Sequence, residues 1–476
     1  MTSAIPYVNA APHIGHAQEF VYSDTIKRYH KLLGQEVTYL CGPDENGLKI
    51  VQAAEKEGKP TQNFCDYYQQ KFLDLADKLN VQFDIWQRSS DKKTHFISSK
   101  YLWNLCHRNG DIYKKIYTGL YCVGCETFYT PDELDSKGEC LEHPGKKLEK
   151  VSEENYFFRL SRYQDFLADL ISKDKLKITP QYRKNEALSF IKRGLLDFSV
   201  SRSKIRAKNW GIPVPNDSSQ IIYVWFDALN VYFSGIGLGW DKDKFKKYSP
   251  QDLMVIGKGI LRFHAIYWPV ILKSAGLPLP KELYIHGYLT IDGQKMSKTI
   301  GNVIDPIRMI NKYGTDGLRY YLLREIPSYG DGDFSERRFK ELYNSDLANG
   351  LGNLIARVAK LCEQSDLKFP LEKENDRTLE DQIYPLLDSF QFNSTLTILW
   401  EQINKYNIYI DQHTPWKLIK ENNKEETKII LTYLVKGIRT LSKYLSPFLP
   451  ETAEQINNQY SREEIIFLKP LFPRIP

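Results

Sequence analysis

Long apolar runs are missing from this sequence. No stretch reaches the roughly 18 residues that a bilayer-spanning helix needs, so a chain threaded through a membrane is not expected. Cysteine is scarce and odd in number, seven in 476 residues, which argues against a disulfide framework, while four metal-spaced ligands described below argue for a reducing compartment. The opening residues Met1-Thr2-Ser3-Ala4-Ile5-Pro6-Tyr7 have neither a basic n-region nor an apolar h-region. No export signal is expected there, and a cytoplasmic protein is. Internal repeats and low-complexity linkers are also absent. Strong charge of one sign is lacking: the net charge is +6, compatible with a polyanionic partner and equally with ordinary solubility charge. What is present is ample core material, 42% hydrophobic and 13% aromatic, in a chain long enough for about three domains.

The first 110 or so residues alternate short apolar runs with helical patterns. Val37 to Cys41 reads as a buried strand ending at the turn Gly42-Pro43-Asp44, and Ala17 to Leu33 and Thr61 to Leu79 read as helices. That alternation predicts an α/β fold with a doubly wound, Rossmann-like parallel sheet. Residues 112–220 interrupt it with cysteine, glycine, charge runs and aromatics. It resumes with Ile221 to Trp225, Leu253 to Gly257 and Leu283 to Ile285. From about 346 onward, Leu347, Leu351, Leu354, Val358 and Leu361 share one helix face, which predicts an α-helical bundle. The expected parts are a catalytic domain in two halves (1–111 and 221–322), an insertion (112–220), a linker (323–345) and the helical domain (346–476).

Two short motifs carry chemistry. His13-Ile14-Gly15-His16 follows the first strand and opens a helix. The helix end offers N–H groups and positive potential, Gly15 permits close approach, and two imidazoles can donate to a polyphosphate. Far downstream, Lys295-Met296-Ser297-Lys298-Thr299 follows the turn Asp292-Gly293-Gln294. Two ammonium groups on such a loop suit charge developing on a departing pyrophosphate. A given tetrad arises by chance in roughly 0.3% of chains this long, so the ordered pair is specific where either alone is not.

On these residues the chain resembles class I aminoacyl-tRNA synthetases, whose HIGH and KMSKS motifs match His13–His16 and Lys295–Thr299, with Thr299 in place of the last serine. It is most similar to the bacterial-type methionyl-tRNA synthetase family. Supporting strings are Ala4 to Asn9, Tyr223 to Leu229, Phe263 to Pro269, Gly314 to Pro327 and Leu351 to Leu354. The resemblance implies that methionine and ATP give methionyl-adenylate and pyrophosphate, and that the acyl group then moves to the 3′ end of tRNA(Met). It assigns catalysis and ATP binding to His13, Gly15, His16, Lys295 and Lys298, with Mg2+ accompanying ATP. It also assigns the methionine pocket to Ile5, Tyr7, Trp225, Ala228, Leu229, Tyr232, Ile260, His264 and Trp268, and gives the α-ammonium to Asp44. Two departures stand out. Asn46 occupies the histidine position of the family's Thr-Asp-Glu-His-Gly, and Gly259 replaces the aspartate of Gly-Lys-Asp.

Within the insertion, Cys122 and Cys125 precede Cys140 and His143, with fourteen residues between the pairs. Three thiolates and an imidazole complete a tetrahedral shell, so one structural Zn2+ is expected. In the helical part, Asn349, Asn353 and Arg357 fall four apart, and Thr414-Pro415-Trp416 reads as an N-cap, a first-turn proline and an aromatic at a helix start. Such stripes are ordinarily solvated faces and tryptophan is ordinarily core; the resemblance assigns all four residues to the tRNA anticodon. A monomer is expected, because no appended oligonucleotide-binding domain follows. Two rivals stay open on sequence alone. One is a synthetase for another amino acid such as cysteine; the other is an inactive tRNA-binding relative, prompted by Gly259 and Asn46.

Overall fold

The structure, a computed structural model, describes all residues except 123–126, 130–133, 141–144, 146–147, 297–300 and 372–376. Contacts divide the chain into two units. One comprises Met1–Pro12, Thr38–Asp74 and Gln82–His286; the other comprises His13–Val37, Leu75–Val81 and Gly287–Pro476.

The first unit is built on a six-stranded sheet in the order Ile85–Trp86, Leu40–Cys41, Thr2–Ser3, Leu253–Gly257, Glu282–His286 and Lys177–Thr179. Every pairing in it is parallel. Parallel sheets are covered on both faces, which is why the two central long strands read as nearly unbroken apolar runs. Leu253 to Ile256 and Leu283 to Ile285 are indeed buried. The helices His95–Arg108 and Trp268–Ala275 pack together within this unit, and one large apolar core runs from Ala4 to Ile285. The expected α/β parallel-sheet fold is present.

Two local readings change. The run Ile221 to Trp225, expected to resume the parallel alternation as a strand, divides. Asp217–Ile222 is the middle strand of a small antiparallel sheet with Pro213–Val214 and Ser201–Ser203, and Val224–Leu229 is a helix. A short apolar run has no period of its own, so burial alone could not separate strand from helix there. The stretch 112–220 contains a long antiparallel pair, Ile112–Cys122 with Glu149–Phe158, and it also supplies the sheet's edge strand Lys177–Thr179.

In the second unit the helix Ile14–Leu32 accompanies a bundle whose longest members are Phe392–His413 and Lys424–Leu445. Leu347, Leu351, Leu354, Val358 and Leu361 are all buried, as their spacing predicted. A fully buried guanidinium organises the unit. Arg319 pairs with Asp24 of the Ile14–Leu32 helix at 2.8 Å and donates to the carbonyls of Leu79, Pro447 and Phe448. Each of its three nitrogens therefore meets an acceptor, which is the condition for burying a charge. Among the described residues no helix is long and apolar enough to cross a membrane.

Candidate active site

In the first unit, the chain leaves its first strand and meets the loop after Leu40–Cys41. Tyr7 and Asp44 form a parallel β-bridge, and the Asp44 N–H donates to the Pro6 carbonyl at 2.9 Å. The loop lies tight against the next strand end, since a Cβ on Gly42 would fall 1.8 Å from the Gln87 carbonyl oxygen. Only glycine fits so close an approach. Glu45 is fully buried and takes a forked pair of hydrogen bonds from Arg88, while its own N–H donates to the Ser89 hydroxyl. The carboxylate of Asp44 is thereby held, 2% exposed, on a loop fixed from both sides.

Facing chemistry of a different kind comes from Val224–Leu229 and from a π-helical stretch, Phe263–Tyr267, that follows the 3-10 turn Lys258–Ile260. Wide π turns recur at functional sites because they re-aim side chains. Here the turn stacks Phe263 on Trp225, with ring centroids 3.7 Å apart and planes within 5°. It also directs His264 toward Tyr232. The His264 Nδ1 lies 2.9 Å from the Ile260 carbonyl and its Nε2 lies 2.9 Å from the Tyr232 hydroxyl. A carbonyl can only accept, so Nδ1 carries the hydrogen and the tyrosine donates to Nε2. Burial pushes the imidazole down to about 4, which keeps it neutral. Leu229, Tyr232 and Trp268 belong to the main core, and Ile5, Trp225 and Ile260 pack against it half-buried. The structure thus gathers the sequence-predicted set, including buried Ala228, into one unit.

Sequence reading missed the polar layer behind this wall. Asp227 is fully buried and accepts from His95 Nε2 at 2.5 Å, Asn46 Nδ2 at 2.7 Å and the Ser99 hydroxyl at 3.2 Å. His95 Nδ1 meets the Ser234 hydroxyl at 2.7 Å. Polar residues inside an otherwise apolar helix start, at His95, Ser98 and Ser99, were the available signal.

In the second unit, His13 is the N-cap of Ile14–Leu32. Its Nδ1 accepts from the Gly15 N–H at 3.2 Å, and the His16 Nδ1 accepts from the His13 N–H at 3.1 Å. This is a capping box built from two imidazoles, stacked with centroids 3.9 Å apart. Because each Nδ1 accepts, the hydrogen of each neutral ring sits on Nε2. The Met296 methyl lies 3.9 Å from where a Cβ on Gly15 would stand, so the two motifs meet in this unit. Lys295 ends a hairpin whose Asp292 and Gly293 both have positive φ, 48° and 78°, the pattern of a tight two-residue turn. Lys298 lies outside the described residues.

Of the expected zinc ligands, Cys122 and Cys140 are buried, 2% and 1% exposed; Cys125 and His143 lie outside the described residues. In the helical part, Asn349 and Asn353 are exposed, and Arg357 lies 5.8 Å from the half-buried Trp416 ring. Asn349 accepts from Arg474, and Arg357 also pairs with Asp411 at 2.7 Å. Pro415 does start a helix, but Thr414 does not cap it with its side chain; it is left-handed, φ 43°, closing the preceding helix.

A family model described as tRNA synthetases class I (M) matches residues 1–359, and one described as the anticodon-binding domain of tRNA ligase matches 377–476. The methionine–tRNA ligase of Thermotoga maritima is 40% identical over 98% of this chain and 75% of its own length. That of Clostridium acetobutylicum is 41% identical over 97% of this chain and 73% of its own. The Mycobacterium tuberculosis methionyl-tRNA synthetase, solved in complex with methionyl-adenylate, matches with a TM-score of 0.92 and 35% identity, covering 99% of both chains. Its apo form matches with a TM-score of 0.84 and 32% identity, covering 100% of this chain and 97% of its own. The chain therefore belongs to the methionyl-tRNA synthetase family of class I aminoacyl-tRNA synthetases.

Proposed function

We propose that the wall around Trp225, Tyr232, His264 and Trp268 is the side-chain pocket of an enzyme that activates methionine with ATP and transfers it to tRNA(Met). The observation that carries the pocket is its polar pair, Tyr232 and His264. Tyr232 spends its hydrogen on a neutral His264, so no charge and no spare donor from that pair faces a ligand. A charged amino-acid side chain would meet no opposite charge in that pair. A thioether demands no hydrogen bond and its unbranched chain packs by dispersion on aromatic rings such as those of this wall. Asp44, buried on its braced loop, would hold the α-ammonium by a charge-assisted hydrogen bond.

The Nε2–H groups of His13 and His16 would meet the ATP phosphates at a helix start, and Lys295 and Lys298 would neutralise the leaving pyrophosphate. No general base is required, because methionine's carboxylate is already a nucleophile; positioning and electrostatics supply the acceleration. ATP is used with Mg2+, as phosphoryl-group chemistry in general requires. Cys122, Cys125, Cys140 and His143 would hold one structural Zn2+. Their chemistry fits a closed shell, and the burial of Cys122 and Cys140 is what such a shell asks of its thiolates. Asn349, Asn353, Arg357 and Trp416 would read the anticodon; their exposure or half-exposure on one helical unit supports that role over a core one. The division into a split catalytic domain, the insertion 112–220, the linker 323–345 and the helical domain 346–476 belongs to the same reading. Buried thiols outside any disulfide at Cys65, Cys106 and Cys362 favour the cytoplasm.

Amino-acid-dependent pyrophosphate exchange, run with each of the twenty amino acids, tests the proposal. Exchange with methionine is expected. Exchange driven by cysteine or another residue instead would reassign the pocket, and none at all would make the chain a tRNA-binding relative only.

A further inference from the structure

The Asp227 carboxylate is fully buried, and it collects three donors from two separate segments. His95 and Ser99 come from the start of the helix His95–Arg108, and Asn46 comes from the loop that carries Asp44. Asp227 itself lies in Val224–Leu229, one residue from Ala228 and two from Trp225. Asn46 completes the tie by donating also to the Ser89 carbonyl at 2.8 Å. On the far side, His95 reaches Ser234, and the Asn230 amide donates to the hydroxyls of both Ser98 and Ser99. Burying a carboxylate costs several kcal/mol unless each lone pair is met, so such a group persists only where its geometry matters to something. Simple core packing would be served as well by an apolar residue at 227.

We propose that the hydrogen-bonded chain Asn46–Asp227–His95–Ser234 is a positioning device that sets the spacing between the Asp44 loop and the Trp225–Leu229 wall, with His95 as its central positioning residue. The inference rests on the methionine reading of that pocket. An amino acid is gripped at two ends, its ammonium and its side chain. The distance between the two grips therefore selects side-chain length, and the buried Asp227, on one supporting segment, is bonded to Asn46 on the other. His95 fixes the orientation of the carboxylate: one imidazole nitrogen donates to Asp227 and the other is held by Ser234. Asn46 departs from the histidine of the family pattern, yet its amide supplies two donors at once, to Asp227 and to Ser89. The loop is therefore tied in this chain by Asn46 together with the more distant His95.

The test is steady-state pyrophosphate exchange by the full chain carrying His95→Leu, His95→Gln or Asn46→Ala, with methionine and ATP titrated separately. Removing the donor in His95→Leu is expected to raise the methionine KM on the order of tenfold, the scale of a small misplacement in a fixed site. The ATP KM should stay within about twofold, and His95→Gln, which keeps a donor near the Nε2 position, should recover most of the loss. A folded His95→Leu with normal methionine KM overturns the proposal, and so does a parallel rise in both Michaelis constants. Should His95→Leu fail to fold, Asn46→Ala decides by the same two criteria. Trp225→Ala separates this inference from the one beneath it. If that change leaves methionine KM untouched, the pocket reading fails; if it raises KM while the His95 and Asn46 variants do not, only the positioning role fails.

Discussion

His264 offers a sharp test of the pocket's electrostatics. Burial lowers its imidazole from an ordinary 6.5 to about 4, while its Nε2 accepts from Tyr232 and its Nδ1–H donates to Ile260. Between those two values the unfolded chain binds a proton at this position that the folded chain refuses. Stability tied to His264 is therefore fully present above about pH 6.5 and drains away as pH falls toward 4. The gap is worth roughly 3 kcal/mol in total at about 1.4 kcal/mol per unit, of which about 2.5 kcal/mol is lost by pH 4.5. The perturbation is His264→Gln, which keeps similar bulk and hydrogen-bonding capacity but does not titrate. Urea unfolding followed by tryptophan fluorescence, from pH 7.5 to 4.5, should show wild type losing about 2.5 kcal/mol more than the variant across that range. Other titrating groups are common to both proteins and cancel in the difference. Parallel loss in the two proteins would refute the buried, neutral placement, as would a ring-proton titration of His264 centred near its ordinary value.

Three further outcomes follow from the site. Lys298→Ala and Lys295→Ala should lower the maximal rate of pyrophosphate exchange while leaving methionine binding nearly intact, because they meet charge that appears only in the transition state; raised Michaelis constants with an unchanged maximal rate would count against them. Trp416→Ala should weaken tRNA interaction by about 1–3 kcal/mol, the scale of base–aromatic stacking, without altering exchange in the absence of tRNA. A lowered unfolding midpoint with normal aminoacylation would return that ring to the core. Metal analysis should find one zinc per chain, reduced by Cys140→Ser along with the stability of the insertion; zinc unaffected by that change would sink the assignment.

Much of this was legible in the sequence because it is local. The imidazole tetrad sits at a helix start that its own residues cap, and a capping box spans only four residues. Leu253 to Gly257 reads as a buried parallel strand from its own apolar run, and the Leu347 to Leu361 face follows from helical periodicity. The spacing of Cys122, Cys125, Cys140 and His143 likewise carries its own chemical meaning. Short runs without a period did not: Ile221 to Trp225 gave no sign that a strand would end at Ile222 and a helix begin at Val224.

The sequence by itself therefore determined the chemistry on offer: imidazoles at a helix N-terminus, ammonium groups on a hairpin-led loop, aromatic rings for a soft side chain, and thiols at metal spacing. Only the tertiary structure decided which groups would constrain one another. His95 and Asp227 lie 132 positions apart and Asn46 and Asp227 lie 181 apart, separations at which no periodicity or motif links one residue to another. The same holds for Arg319, whose acceptors at Leu79, Pro447 and Phe448 are backbone carbonyls that any sequence would supply. Such pairings exist because burial removes water, so each polar group must find its partner within the fold, wherever along the chain that partner lies.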